Sequence, residues 1–274
     1  MSMSIRTNVA SLNAQRNLTT TQSTLDSSMS RLSSGYRITK AGDDAAGLGI
    51  STKLEAQIRS YNQASRNAND GISVIQTTEA ALNETTNILT RLRELAMQSA
   101  SDGLGDSERA YIQAESDQLV SEIDRISAVT KFNGTELLSG TTATLDFQVG
   151  VEGTADDQIS FDTIDATAAT LGVDALDVND KTAAAAALTT IDTAIATVSE
   201  ARANLGAVGN RFQSAINNIQ SFAESLSAAN SRIRDVDVAE ETSRMARANI
   251  LQQAGVSVLA QANQPPQLAL KLLG

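Results

Sequence analysis

The chain has no histidine and no cysteine among its 274 residues. That excludes imidazole acid–base catalysis, thiol nucleophiles, disulfides, and zinc or iron–sulfur centres built on those ligands. Carboxylates and arginines are what remain to do chemistry. Asp156-Asp157 ends the polar run Glu152-Gly153-Thr154-Ala155 and could be imagined as a cation pair. No third ligand follows at a recognisable loop spacing, so a solvated turn is the simpler reading, and no metal or other cofactor is expected. Asp43-Asp44 lies among Gly35, Gly42, Gly47 and Gly49, a grouping that superficially invites phosphate. No strand precedes it, no Gly-Lys-Ser/Thr ending follows, and two carboxylates would repel the ligand, which leaves a hinge between two helical segments. Glu240-Glu241 occupy consecutive helix positions and face different directions, as a solvated face does. Arg91, Arg93 and Glu94 are either an exposed recognition patch or plain surface charge. No catalytic residue emerges.

The remaining composition points the same way. Hydrophobic residues make up 41% of the chain but aromatic ones only 3%, with no tryptophan, so a thick enzyme-like core is disfavoured. A formal charge of −11 argues against nucleic-acid binding, which needs a positive field. No run approaches the roughly 20 continuous apolar residues that cross a bilayer. The start, Met1-Ser2-Met3-Ser4-Ile5-Arg6, lacks the apolar region of a signal peptide, so residence in the cytosol or export by a route without one is expected.

The elements that must carry these residues are long helices. The two prolines are adjacent, Pro265-Pro266, leaving the rest free of the strongest helix breaker. Leu54, Ile58, Tyr61, Ser65, Ala68, Ile72, Ile75, Glu79, Leu82, Thr86, Leu89, Arg93 and Ala96 recur in steps of three and four. Leu188, Ile191, Ile195, Val198, Arg202, Leu205, Gly209, Phe212, Ile216 and Ile219 do so again, continuing to Ile233. A shorter helix opens at Asp106-Ser107, plausible N-caps, and carries Ile112, Leu119, Ile123 and Ile126. Phe132-Asn133-Gly134 is a turn signal. Beyond it Leu145, Phe147, Val149 and Val151, then Ile159 and Phe161, alternate with polar residues as a β-hairpin capping the bundle. The fold class is therefore mainly α: an elongated antiparallel helical bundle or coiled coil with a small β-hairpin region.

The two ends differ from this. Residues 5–34 carry a sparse stripe of Val9, Leu12, Leu18, Leu25, Met29 and Leu32. Residues 236–263 carry Met245, Ile250, Leu251, Val258 and Leu259 among polar neighbours. Tertiary packing supplies most helical stability, so these ends should order only when paired with each other or with other chains.

Several motifs in order now resemble bacterial flagellin. They are Arg31-Leu32-Ser33-Ser34-Gly35, Asp43-Asp44-Ala45-Ala46-Gly47-Leu48, Arg66-Asn67-Ala68-Asn69-Asp70-Gly71-Ile72-Ser73, Arg91-Leu92-Arg93-Glu94-Leu95-Ala96 and Phe132-Asn133-Gly134. Near the other end stand Ser231-Arg232-Ile233-Arg234-Asp235, Ile250-Leu251-Gln252-Gln253-Ala254-Gly255 and Leu259-Ala260-Gln261-Ala262-Asn263-Gln264. The resemblance implies a structural subunit that polymerises into the flagellar filament for swimming. It implies an extracellular protein exported without signal cleavage, with the two terminal stripes as the polymerisation core. Its domains would be 1–42 and 235–274 for an inner-core coiled coil, and 43–180 with 181–234 for an outer-core helical domain. Variable outer domains have no room between hairpin and second long helix, so the chain looks like a minimal flagellin.

Implied partners are other flagellin subunits, an export chaperone at the C-terminal segment, filament cap and hook-junction proteins, and a host Toll-like receptor meeting positions Arg91, Leu95 and Glu115. A hook–filament junction protein is similar at both ends and stays an alternative. An enzyme embedded in the hairpin region is another, but the insertion that would house it is missing. Tyr36 stands where the family usually has leucine, Thr39-Lys40-Ala41-Gly42 replaces a more typical Asn-Ser-Ala-Lys, and Pro265 precedes the usual Pro266.

Overall fold

The computed structural model describes residues 7–141 and 144–264, so Met1–Arg6 and Pro265-Pro266 lie outside the described residues. Helices dominate: α1 (Val9–Ser34), α2 (Ala45–Ser99), α3 (Asp106–Val129), the short α4 (Ala168–Leu171), α5 (Lys181–Arg234) and α6 (Val238–Ala262). Two antiparallel strand pairs interrupt them, β1 (Lys131–Phe132) with β2 (Thr135–Glu136) and β3 (Thr144–Gln148) with β4 (Gln158–Asp162). The chain packs as two units, Met1–Ala56 with Ser225–Gly274, and Gln57–Glu224. Both divisions fall inside α2 and α5, not at the loops near 42 and 235. Sequence pattern marks where a helix breaks, whereas a unit ends where side chains stop sharing a core.

In the 57–224 unit, α2 and α5 run antiparallel. Tyr61 stacks on Phe222 with ring centroids 5.8 Å apart, Arg202 reaches Glu79 at 3.8 Å, and Arg93 donates to Asp192 at 2.6 Å. The seam between them is only half the one that hydrophobic spacing predicts. Ala68, Ile75, Leu82, Leu89 and Ala96 are buried as expected, but the alternate positions are Ala64, Gly71, Thr78, Thr85 and Leu92 in place of Ser65, Ile72, Glu79, Thr86 and Arg93. On α5, Ile191, Val198, Leu205, Phe212 and Ile219 are buried together with Ala187, Ala194 and Ala201, each one step before the expected Leu188, Ile195 and Arg202. Small residues thus fill the alternate positions. Thr78 and Thr85 satisfy their hydroxyls on the Val74 and Ala81 carbonyls, one turn back, and so cost little to bury. At Gly71 a Cβ would stand 2.7 Å from Cζ of Phe212, so the ring fits only against glycine.

The α2–α3 reversal is tied from inside. Arg109, buried, donates to the Ser101 carbonyl at 2.8 Å and to the Leu104 carbonyl at 3.3 Å. The residue capping α3 is Gly105, without a side-chain bond; Asp106 and Glu108 lie inside the first turn, where they favour the helix dipole. Asn133 (φ 49°) and Gly134 (φ 85°) form the two-residue turn between β1 and β2, the left-handed geometry that this dipeptide suits. The β3–β4 hairpin pairs Leu145 with Phe161 and Phe147 with Ile159. It lies on the flank of α2 and α5 rather than capping an end. Asn67 donates to the Gln148 carbonyl at 2.9 Å, and Phe147 meets Phe212 edge to face at 5.6 Å. From Ala166 to Val178 the chain forms a strap that the sequence pattern missed, burying Ala166, Ala168, Leu171, Val173 and Val178. Gln113 holds it, donating to the Leu176 carbonyl at 2.9 Å and accepting the Val178 amide at 2.7 Å.

Among the described residues, α5 alone is long enough and, over an 18-residue window of mean hydropathy 1.2, apolar enough to cross a membrane, although that window is not a continuous apolar run. Its stripe Ala184, Ala187, Ile191, Ala194 and Val198 is nonetheless buried in the core just described.

In the other unit α1 and α6 pair antiparallel. Asn8 Nδ2 donates to the Ala262 carbonyl at 2.7 Å, and Gln252 Nε2 to Gln22 Oε1 at 2.6 Å. Asn8 caps α1 through the Ser11 amide, and Asp237 caps α6 through the amides of Ala239 and Glu240. Asp44 Oδ1 accepts the Gly47 amide at 2.8 Å at the start of α2. Asp43 accepts the amides of Thr39 and Lys40 and then the Thr39 hydroxyl, which hold its carboxyl below the ordinary aspartate value. The Asp43-Asp44 pair is thus committed to turn and cap bonds.

Candidate assembly surface

The interface between α1 and α6 is made largely of small and polar side chains, with Leu25 the one large apolar residue buried in it. Ser11, Ala14, Leu25 and Ser28 on α1, and Glu241 and Ala248 on α6, are the buried residues. Arg31 approaches Glu241 at 4.0 Å and Asp43 at 3.6 Å. Of the eleven stripe residues that the sequence singles out, Leu25 alone is buried. Leu18, Leu32, Met245 and Leu259 are half-buried, while Val9, Leu12, Met29, Ile250, Leu251 and Val258 are exposed. Val9 is 61% exposed and Ile250 66%. The helix pair therefore does not consume the stripe; it displays it. Val238 and Val256 are also exposed, and the sequence reading did not single them out.

A groove of about 610 Å³ runs between the two helices, lined by Leu18, Ala248, Leu251 and Val258 with Arg244 and Arg247 at its edge. Fully burying one large aliphatic side chain contributes about 1.5–3 kcal/mol. Half-covered residues of this kind therefore hold back on the order of 1 kcal/mol each, available only when another surface covers them. Such an arrangement presents aliphatic side chains to whatever covers it. It can bind apolar surface.

The second expected site is only partly assembled. Arg91 donates to Glu115 Oε1 from Nε at 3.0 Å and from Nη2 at 2.8 Å, and to Glu94 at 3.0 Å. Glu115 first, then Glu94, raises the guanidinium above the ordinary arginine value. Leu95 does not join them: it is 1% exposed and belongs to the seam of α2, so its side chain offers nothing to a partner while that core is intact. The sequence could not separate it from Arg91, because residues four apart share a helix face, and only the packing of α3 and α5 decides which of the two is covered.

The description "Bacterial flagellin N-terminal helical region" matches residues 5–143, and "Bacterial flagellin C-terminal helical region" matches residues 188–273. The chain belongs to the bacterial flagellin family. It is 46% identical to a flagellin of Halalkalibacterium halodurans over 271 residues, covering 99% of this chain and all of that one. With a flagellin of Bacillus subtilis it shares 46% identity over 305 aligned positions, again 99% of this chain and all of the relative. Because 305 positions exceed the 274 residues here, that relative carries additional residues, and this is a short flagellin without large outer domains. Among solved structures, Bacillus cereus flagellin superposes with a TM-score of 0.51 at 32% identity, covering 60% of this chain and 94% of the other. Flagellins are structural proteins of the flagellar filament, and this chain is a filament subunit.

Proposed function

We propose that this flagellin polymerises through the outward faces of α1 and α6, so that neighbouring subunits bury Val9, Leu12, Met29, Ile250, Leu251 and Val258. The single observation that carries the proposal is that these large apolar residues are exposed on a helix pair whose own interface, Leu25 apart, is small and polar. A pair with so thin an interior gains its rigidity from covering subunits, because ordering each residue costs about 1–2 kcal/mol of backbone entropy. Such ends suit export through a narrow channel before assembly outside the cell, with a chaperone shielding the C-terminal segment and cap and hook-junction proteins meeting the growing polymer. Residues 1–42 and 235–274 act as the inner core of the filament in this scheme, and 43–234 as its outer core. The paired substitution Leu12→Ser with Ile250→Ser should abolish filament growth in seeded polymerisation while leaving the melting of the 57–224 unit unchanged. Hydrogen exchange should show residues 9–34 and 238–262 gaining strong protection only in the polymer. Filaments from the doubly substituted chain, or full protection of both helices in the monomer, would reject the proposal.

The exposed Arg91–Glu115 pair supports a second reading, recognition of the subunit by a flagellin-detecting Toll-like receptor. Arg91→Ala should weaken a cell-reporter response at least tenfold with no change in folding, and an unchanged response would remove this pair from the receptor surface.

A further inference from the structure

The connector from α1 to α2 and the connector from α5 to α6 are fastened to each other. Tyr36 and Asp235 form an antiparallel bridge, Arg37 N donates to the Arg234 carbonyl at 2.6 Å, and Val236 N donates to the Gly35 carbonyl at 3.0 Å. Arg37 Nη2 adds a bond to the Ile233 carbonyl, 196 positions away, at 2.6 Å. The Arg234 guanidinium lies over the Tyr36 ring, 4.1 Å from its centroid, and donates to Glu55 Oε2 at 3.0 Å. Gly35, at φ 76°, supplies the left-handed turn that ends α1 and aims the chain into this bridge.

We infer that this clasp sets the register in which α1 and α6 pair. Of the six buried residues of the pair, Ser11, Ala14, Ser28 and Ala248 are small, Glu241 is polar and Leu25 is the one large apolar knob, so sliding one helix by two turns misplaces little beyond that single side chain. Sequence-distant helices with such an interface have little of their own to choose one alignment. The clasp joins them at one end, in a short bridged reversal, so that pairing proceeds outward from a fixed point and the closure entropy of the intervening chain is already spent. The register matters because it decides which exposed residues of α6 stand beside which of α1. Contacts inside the pair compete for the same role: the buried Leu25, Leu18, whose Cγ would lie 3.1 Å from a Cβ at Gly255, and the Asn8–Ala262 and Gln22–Gln252 bonds. The inference concerns pairing within one chain and stands whether or not those faces polymerise.

The absence of native cysteine makes the test direct. One full-length chain carries Leu18→Cys with Gly255→Cys, which are neighbours in the observed register. A second carries Leu18→Cys with Ala248→Cys, offset by two turns or about 10 Å. Both lack the Leu18 knob, so any remaining preference must come from elsewhere. Under mild oxidation of the soluble chain, the first pair should cross-link at least fivefold more than the second. Adding Tyr36→Ala with Arg234→Ala should cut that ratio at least threefold, and Arg234→Lys, which keeps the charge but not the planar stack, should fall between. Unchanged melting of the 57–224 unit controls for folding. A ratio indifferent to the clasp substitutions, no in-register cross-link in the parent, or a loss produced by Gln22→Ala instead of the clasp would each overturn the inference.

Discussion

The two units of this chain use the same helical grammar to opposite ends. In the 57–224 unit the large apolar residues point inward, and one contiguous core runs from Ala64 through Phe212 to the strap at Val178. In the other unit the buried apolar residues are Ala14, Leu25, Ile38 and Ala248, and valine, leucine, isoleucine and methionine side chains of α1 and α6 face outward. Both have amphipathic helices, so amphipathicity alone does not say where an apolar stripe goes. What decides is whether a third element is present to cover it. In the 57–224 unit α3, the hairpin and the strap cover the α2–α5 pair. The α1–α6 pair has no such cover along the described length of its outward faces, and the neighbouring subunits of a filament are what would supply it.

The sharpest way to break that contrast is to remove one large side chain from each unit. Phe212→Ala empties the site where Gly71, Phe147 and the α2 backbone converge, and should destabilise the 57–224 unit by about 3–5 kcal/mol in denaturant unfolding. Ile250→Ser removes a comparable apolar group from α6 but should change monomer stability by less than about 0.5 kcal/mol, with its effect confined to the critical concentration for assembly. Equal destabilisation by the two would mean that α6 is as fully packed in the free chain as α5.

A smaller effect probes how closely α2 and α5 approach. Gly71→Ala drives a Cβ into the Phe212 ring, and overpacking of this kind costs about 1–3 kcal/mol. Alanine returns up to about 1 kcal/mol of helix propensity, so a net loss of stability is expected. A gain would show that the ring can shift. The same substitution at Gly206 or Gly209, where nothing crowds a Cβ, should stabilise instead.

The long helices, the α2–α3 reversal, the turn at Asn133-Gly134 and the β3–β4 hairpin were legible in the sequence, because each rests on local chemistry: period, turn dipeptides and alternation. The exact seam was not. Hydropathy selects Ile72, Leu188 and Ile195, which pack only partly buried against the core, whereas the small Gly71, Ala187 and Ala194, which a hydrophobic count passes over, are buried. The strap was invisible for a different reason: its fixings are the Gln113 amide and the Asp124 carboxylate, groups whose pairing depends on which elements meet. On α1 and α6 the pattern picked out most of the exposed large apolar residues, but it could not tell Leu25, which is inside, from Leu12, which is out. Both lie on one sparse stripe of α1, and only the pairing with α6 separates them.

The smallest expected effect distinguishes the two units electrostatically. Glu136, in the 57–224 unit, is held by the Lys131 ammonium at 2.8 Å, then by the hydroxyls of Ser139 at 2.7 Å and Thr141 at 3.2 Å, and its value falls from 4.5 to about 2. Asp43, in the other unit, is lowered chiefly by the backbone amides of Thr39 and Lys40. In both cases folding favours the ionised form, so each contributes stability that is complete above its unfolded value and is lost as pH falls through its folded one. For Glu136 that window lies between about 4.5 and about 2. A carboxyl-carbon NMR titration should place its midpoint near 2, and Lys131→Ala should move it upward, short of 4.5 because the two hydroxyls remain. Salt should separate the two acids: raising ionic strength screens an exposed lysine but leaves fixed amide dipoles in place. The Glu136 midpoint should therefore rise with added salt more than that of Asp43. Equal movement would mean that the Asp43 carboxylate leans on Arg31, 3.6 Å away, more than on the turn that holds it.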